Sequence, residues 1–142
     1  MAVGSFQIYK KFKERLINKE IDMDTDVFKA LLLTSSHTPN LGTQNDLADI
    51  SANEHAATGN YARVTLASVA FTASGNNWNW DSADIAFNAA STITAKYLVI
   101  YDDTHASDAL VCYVDLDTGG GSVSSTASAF TVGTPSNIIV FS

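Results

Sequence analysis

From residue 61 to residue 141 the chain repeats one pattern: a short apolar run, then a turn rich in Gly, Asn, Asp, Ser or Pro. Runs this short, with apolar side chains at alternate positions, suit half-buried strands and are too brief for helices of ordinary length. YARVTL (61–66) sets Tyr61, Arg63 and Thr65 against Ala62, Val64 and Leu66. VAFT (69–72), WNW (78–80), ADIAFN (83–88), LVCYVDL (110–116), SAFTV (128–132) and NIIVF (137–141) continue the series. ITAKYLVIY (93–101) is the longest and most apolar run, and it reads as a central strand. At a wet edge a strand with apolar groups on both faces would recruit other strands. About eight short strands at regular spacing predict a mainly β fold: an antiparallel β-sandwich or jelly-roll-like barrel with one N-terminal α-helix. The whole chain, 1–142, reads as a single domain.

The start of the chain has a different texture. Residues 5–19 (SFQIYKKFKERLINK) read as a helix, with Ser5 as N-cap. Phe6, Tyr9, Phe12 and Leu16 form an apolar stripe, and Lys10, Lys11 and Lys13 lie on the other side. Five of the eight basic residues fall in the first twenty positions, against two acids. The rest of the chain holds three basic residues against thirteen acids. Residues 1–20 are therefore expected to be a basic helical arm that docks on an acidic surface, its own or a neighbour's. As an arm it should be removable with little loss of stability in a β-sandwich spanning 27–142. VFKALLLT (27–34) reads as the first strand of that sandwich. The polar, turn-rich segment 35–60 reads as a long interaction loop, with one helical turn around residues 46–50.

Composition narrows the function. The net charge of −7 opposes phosphate binding, so nucleic acid is not an expected partner. No run approaches the length of a membrane span, and residues 1–13 lack the apolar core of a signal peptide. Only 16% of residues are charged, which leaves a surface rich in small polar groups, suited to contact with other proteins. Cys112 is the only cysteine. It sits inside an apolar run and reads as a small buried hydrophobe, with no disulfide possible inside the chain.

No arrangement of residues reads as a catalytic or cofactor site. His37, His55 and His105 have no spacing for a shared metal and are expected as exposed loop histidines. Asp22, Asp24 and Asp26 resemble the opening of a calcium loop, but Val27 and Leu33 stand where that loop needs Gly and Glu. Asp102 and Asp103 follow the long strand and read as turn formers, not as an acid–base pair. Trp78 and Trp80 share a strand face, suited to the core, to a protein interface or to stacking on a sugar.

The order of features is the last clue. The helix KKFKERLINKEIDMDTD runs into FKALLLTSSHTPN. DLADISANE, TGNYARVTL, a W-x-W segment, ITAKYLVIYDDT and LVCYVDL follow. This order resembles small virion proteins encoded among the structural genes of tailed bacteriophages. The likeness runs from about Phe6 to Leu116, and the remainder is generic β sequence. It implies an accessory structural protein with no enzymatic activity. A capsid decoration (cement) protein is the first expectation and a tail or fibre component the second. Its partners would be the major capsid protein and neighbouring copies of itself, as a trimer or dimer, on the capsid exterior after synthesis in the host cytoplasm. Phe6, Tyr9, Lys10, Lys11, Phe12, Lys13, Trp78 and Trp80 are the candidate partner-binding residues.

Overall fold

The structure, a computed structural model, describes residues 3–87 and 92–142. Among them lie twelve strands, all antiparallel, and one α-helix. In chain order these are β1 (Gln7–Ile8), α1 (Lys10–Ile17), β2 (Phe28–Leu33), β3 (Val64–Thr65), β4 (Ala70–Ser74), β5 (Asn77–Asp81), β6 (Ile85–Phe87), β7 (Ile93–Ala95), β8 (Tyr97–Asp102), β9 (Ala109–Asp115), β10 (Val123–Ser125), β11 (Phe130–Val132) and β12 (Ile139–Phe141). The last residue of the run 83–88, Asn88, lies outside the described residues.

The expected mainly β character holds, but about eight strands becomes twelve. Residues 7–8 and 123–125 are too short and too polar to register as strands in the sequence. The run ITAKYLVIY divides at Lys96 because it serves two sheets: β7 pairs with β10, while β8 lies between β2 and β9. The largest sheet has the order β1-β9-β8-β2-β3, so β8 is its central strand. A second sheet has the order β12-β5-β4, and β10-β7 and β11-β6 are two-stranded.

The five-stranded sheet is buried on both faces at its centre. Leu98, Val99 and Ile100 of β8 are fully enclosed, as are Ala30 to Leu33 of β2. On one face Val99 lies between Leu31 and Tyr113, and Tyr113 meets the ring of Tyr9 at 5.8 Å. The opposite face carries Phe28, whose ring takes the edge of Trp80 at 5.0 Å. The buried apolar side chains form one cluster that draws on both faces.

The N-terminal expectation needs correction. The helix begins at Lys10, not at residue 5, and Ser5 is not its cap. Gln7 and Ile8 are extended and pair with Tyr113 and Cys112 on the free side of β9. Cross-strand hydrogen bonds tie this segment to β9, with Gly4 N–H donating to Asp115 O and Tyr9 N–H to Val111 O, and a further helical turn would leave that edge of β9 bare. Tyr9 and Phe12 are fully buried, and Phe6 and Leu16 pack partly against the same core. Residues 6–16 are thus built into the fold rather than appended to it.

The segment 35–60 is also held down. Two short 3-10 turns, Leu47–Asp49 and Ser51–Asn53, replace the single expected turn, and Leu47 and Ile50 are buried. Arg15 fixes the near side, its guanidinium donating to Asn45 O at 2.8 Å and to Asp46 Oδ1 at 2.7 Å. Arg63 fixes the far side with a two-pronged contact to Glu54 at 2.9 and 2.7 Å. Planar guanidinium–carboxylate pairing of this kind is directional and holds the backbone near it in place.

Candidate functional site

The site follows from β4, β5 and β12. Directly opposed residues share a face, so Phe71, Ala73, Trp78, Trp80, Ile139 and Phe141 line one side of this sheet. Trp80 and Ile139 lie at its buried end. Trp80 is fully enclosed and its indole N–H donates to Met23 O at 3.2 Å. The face leaves the core along β5 at Trp78, 49% exposed, and across the sheet on the outer strand β4 at Phe71, 36% exposed. Phe71 stacks on Trp78 at 5.2 Å and meets Phe141 edge-on at 5.7 Å. The result is a band of three aromatic rings at the surface, held in fixed orientations by each other.

Facing the band are the end of α1 and the loop after it. Leu16, Lys19, Ile21, Asp22, Met23 and Asp24 form the second wall of an open groove of about 570 Å³, with Phe71, Trp78 and Phe141 as the first. The loop is shaped by its own acids. Asp22 Oδ1 accepts the N–H groups of Asp24 and Thr25, and Asp26 Oδ2 accepts that of Asp22. These bonds turn the chain so that Ile21 and Met23 face inward and Asp22 and Asp24 outward. The calcium-like spacing is therefore used for backbone capping, and no group of three metal-ligating side chains occurs among the described residues.

The expected binding residues separate. Lys10 and Lys13 are exposed, and Lys11 pairs with Glu14 at 2.7 Å on the same open side of α1. Tyr9, Phe12 and Trp80 are core residues, and Phe6 lies partly against the core. Trp78 alone among the expected aromatics reaches the surface as part of the band. Phe71 and Phe141 were not singled out in the sequence. The signal was present in the alternation of VAFT and NIIVF, but pairing with β5 is what brings them beside Trp78.

The histidines differ from expectation as well. His37 is buried against Tyr97, its Nε2 has no partner, and burial pushes its pKa down. His55 and His105 are half-buried. His55 packs on Tyr61, and His105 Nε2 lies 3.5 Å from Glu20. Cys112 is buried as expected, and burial pushes its thiol up. Asp103 pairs with Lys29 at 2.8 Å. Lys96 Nζ reaches the two oxygens of Asp115 at 3.1 and 3.3 Å and also Asp117 O at 2.9 Å.

Asp102 does form the expected turn, its Oδ1 accepting the N–H groups of Thr104 and His105, but it is fully buried. Its Oδ2 meets no donor in the charged state. Burial, and then the adjacent Asp26 carboxyl, push its pKa up to about 7. The folded protein therefore holds a proton there that the unfolded chain releases near its ordinary pKa of 3.8. Stability from this group is complete below about pH 4 and falls as the pH rises towards 7. Asp102→Asn supplies a permanent N–H donor towards Asp26. The variant is expected to be more stable than the wild type at pH 8, by about 4 kcal/mol, with little difference at pH 4. Thermal melts across that range measure the difference, and equal shifts at both pH values would exclude the shared proton.

No protein-family model, curated protein or solved structure matches this chain. Among the described residues, no helix is long and apolar enough to cross a membrane.

Proposed function

We propose that this is a non-enzymatic virion structural protein: a capsid decoration (cement) protein that binds the outside of a phage head and stabilises it. The observation that carries the reading is the exposed band of Phe71, Trp78 and Phe141 beside an open groove. Aromatic side chains fixed at a surface are what a protein–protein contact is built around, because each buries a large apolar area at little cost in side-chain entropy. The sheets are read as a β-sandwich, with the band at the open end of one layer. Such a body, held together without disulfides, suits a protein that works outside the cell. Its partners are the major capsid protein and neighbouring copies, in a dimer or trimer on the capsid exterior after synthesis in the host cytoplasm. Many copies on a symmetric shell turn a modest contact into firm attachment.

A second reading has one observation in its favour. Trp78 faces a groove whose other wall carries the carboxylates of Asp22 and Asp24. A flat ring beside hydrogen-bond acceptors suits a sugar, as a tail or fibre module would need.

One experiment addresses both. Purified protein is added to heads that lack it, and occupancy is read by particle reconstruction and by heat release of DNA. The wild type is expected on the head surface. Phe71→Ser with Trp78→Ser is expected to lose binding by at least tenfold, while the isolated protein stays folded because neither ring is in the core. Unchanged occupancy of the double variant, or copies found along the tail, would remove the decoration reading. Loss of binding to host-surface polysaccharide in the same variant would establish the fibre reading in its place.

A further inference from the structure

β4 is the longest strand paired on one side only. Its five residues, Ala-Phe-Thr-Ala-Ser, are all exposed and include no charge and no proline. Natural sheets guard such edges with Lys, Pro, a bulge or extreme shortness, and β4 has none of these. Among the described residues, the other open edges are strands of two or three residues. Among the described residues, no other segment hydrogen-bonds to the outer side of β4.

The hairpin decides which groups face outward. Gly75 and Asn76 make a two-residue turn, with Gly75 at φ +60, and Ser74 opposes Asn77. The residues flanking such a turn form a hydrogen-bonded pair, and the pattern alternates along the ladder. Thr72 and Ala70 therefore direct their backbone groups at β5. Phe71 and Ala73 direct their N–H and C=O groups away from it, with no partner.

We propose that β4 is a dimerisation edge, pairing antiparallel with β4 of a second copy about a two-fold axis at Thr72. In this register Phe71 lies opposite the second copy's Ala73, and Ala73 opposite its Phe71. Both pairs are hydrogen-bonded pairs, so the four outward groups of each copy are satisfied together. Each large ring meets a methyl group, and no charge opposes a like charge. Thr72 meets its own copy across the axis, on the opposite face, where Thr–Thr pairs are favourable. The joined sheet runs β12-β5-β4-β4-β5-β12 and carries both aromatic bands on one surface. The absence of charge and the ring-to-methyl fit of this register make the edge self-complementary, as a two-fold interface requires, and favour a second copy as the occupant.

Light scattering after size-exclusion chromatography, from micromolar to hundreds of micromolar, reads the dimer on the protein alone. The result is independent of where the protein sits on a virion. The wild type is expected to dimerise. Ala73→Pro is expected to be monomeric throughout with an unchanged circular dichroism spectrum, since the N–H it removes serves no bond within the monomer. Thr72→Cys is expected to form a disulfide-linked dimer under mild oxidation, because Cys112 is buried and the two substituted positions face each other. Ser74→Cys is expected to stay uncrosslinked. A wild type that is monomeric at every concentration would overturn the proposal. So would a dimeric Ala73→Pro variant, or crosslinking through position 74 in place of 72. A monomer that instead takes up a strand of the capsid protein along β4 would show the edge to be real and the second copy to be the wrong occupant.

Discussion

Val99→Asp is expected to unfold the protein at neutral pH. Val99 sits at the middle of the central strand, with Leu31 and Tyr113 as its cross-strand neighbours and no exposed surface. A carboxylate there has no cation or donor to meet, so it must take up a proton. Raising a carboxyl pKa from about 4 to 7 costs about 4 kcal/mol at 1.36 kcal/mol per unit. Losing the buried methyl groups adds about 1–2 kcal/mol. The total rivals the whole stability of a domain this size, about 5–15 kcal/mol. Val99→Ala, which leaves a cavity and no charge, is expected to cost only about 2 kcal/mol and to keep a cooperative melt. The distinguishing mark is pH: the Asp variant should recover stability towards pH 4, where the proton is supplied at no cost. A normal melt for Val99→Asp at pH 7 would mean that β8 is not central.

Removing residues 1–20 is expected to have an effect as large, contrary to the behaviour of a detachable arm. The deletion takes away Tyr9 and Phe12, both fully buried, and truncating a core aromatic costs about 3–5 kcal/mol at each site. It also uncovers the β9 edge that pairs with Gln7 and Ile8, and it leaves Asp46 without Arg15. The shortened chain should lack a cooperative melt and should aggregate through β9. Circular dichroism and light scattering on the purified deletion test this. A folded, soluble 21–142 fragment would restore the arm reading. Replacing only Lys10 and Lys13 with Gln changes charge on the exposed side, where substitutions cost little. That variant should melt like the wild type.

Much of the fold was legible because strand alternation is a local property. The apolar runs at 27–34, 93–101 and 110–116 became β2, β7 with β8, and β9. The most apolar of them supplied the central strand, since only the middle of a sheet hides both faces of a strand. Asp102 was legible as a turn former for the same reason, its partners being the next residues of the chain. The rise in its pKa was not, because that depends on burial in the sheet and on Asp26, which is distant in sequence.

The helical stripe misled for a physical reason. Phe6, Tyr9 and Phe12 have helical spacing, but a segment of alternating apolar residues beside an open edge can pair as a strand, and Gln7 and Ile8 do so. The loop 35–60 misled similarly: its polar composition suggested freedom, while Arg15, remote in sequence, holds residues 45–46 and Arg63, just past the segment, holds Glu54. Residue type and short-range spacing were enough for the β class, the central strand, the buried thiol and the separation of a basic start from an acidic remainder. Tertiary structure alone decided that Trp80 is core while Trp78, on the same face, is surface. A strand face has one periodicity along its whole length, and only the position of the neighbouring elements determines where that face leaves the interior.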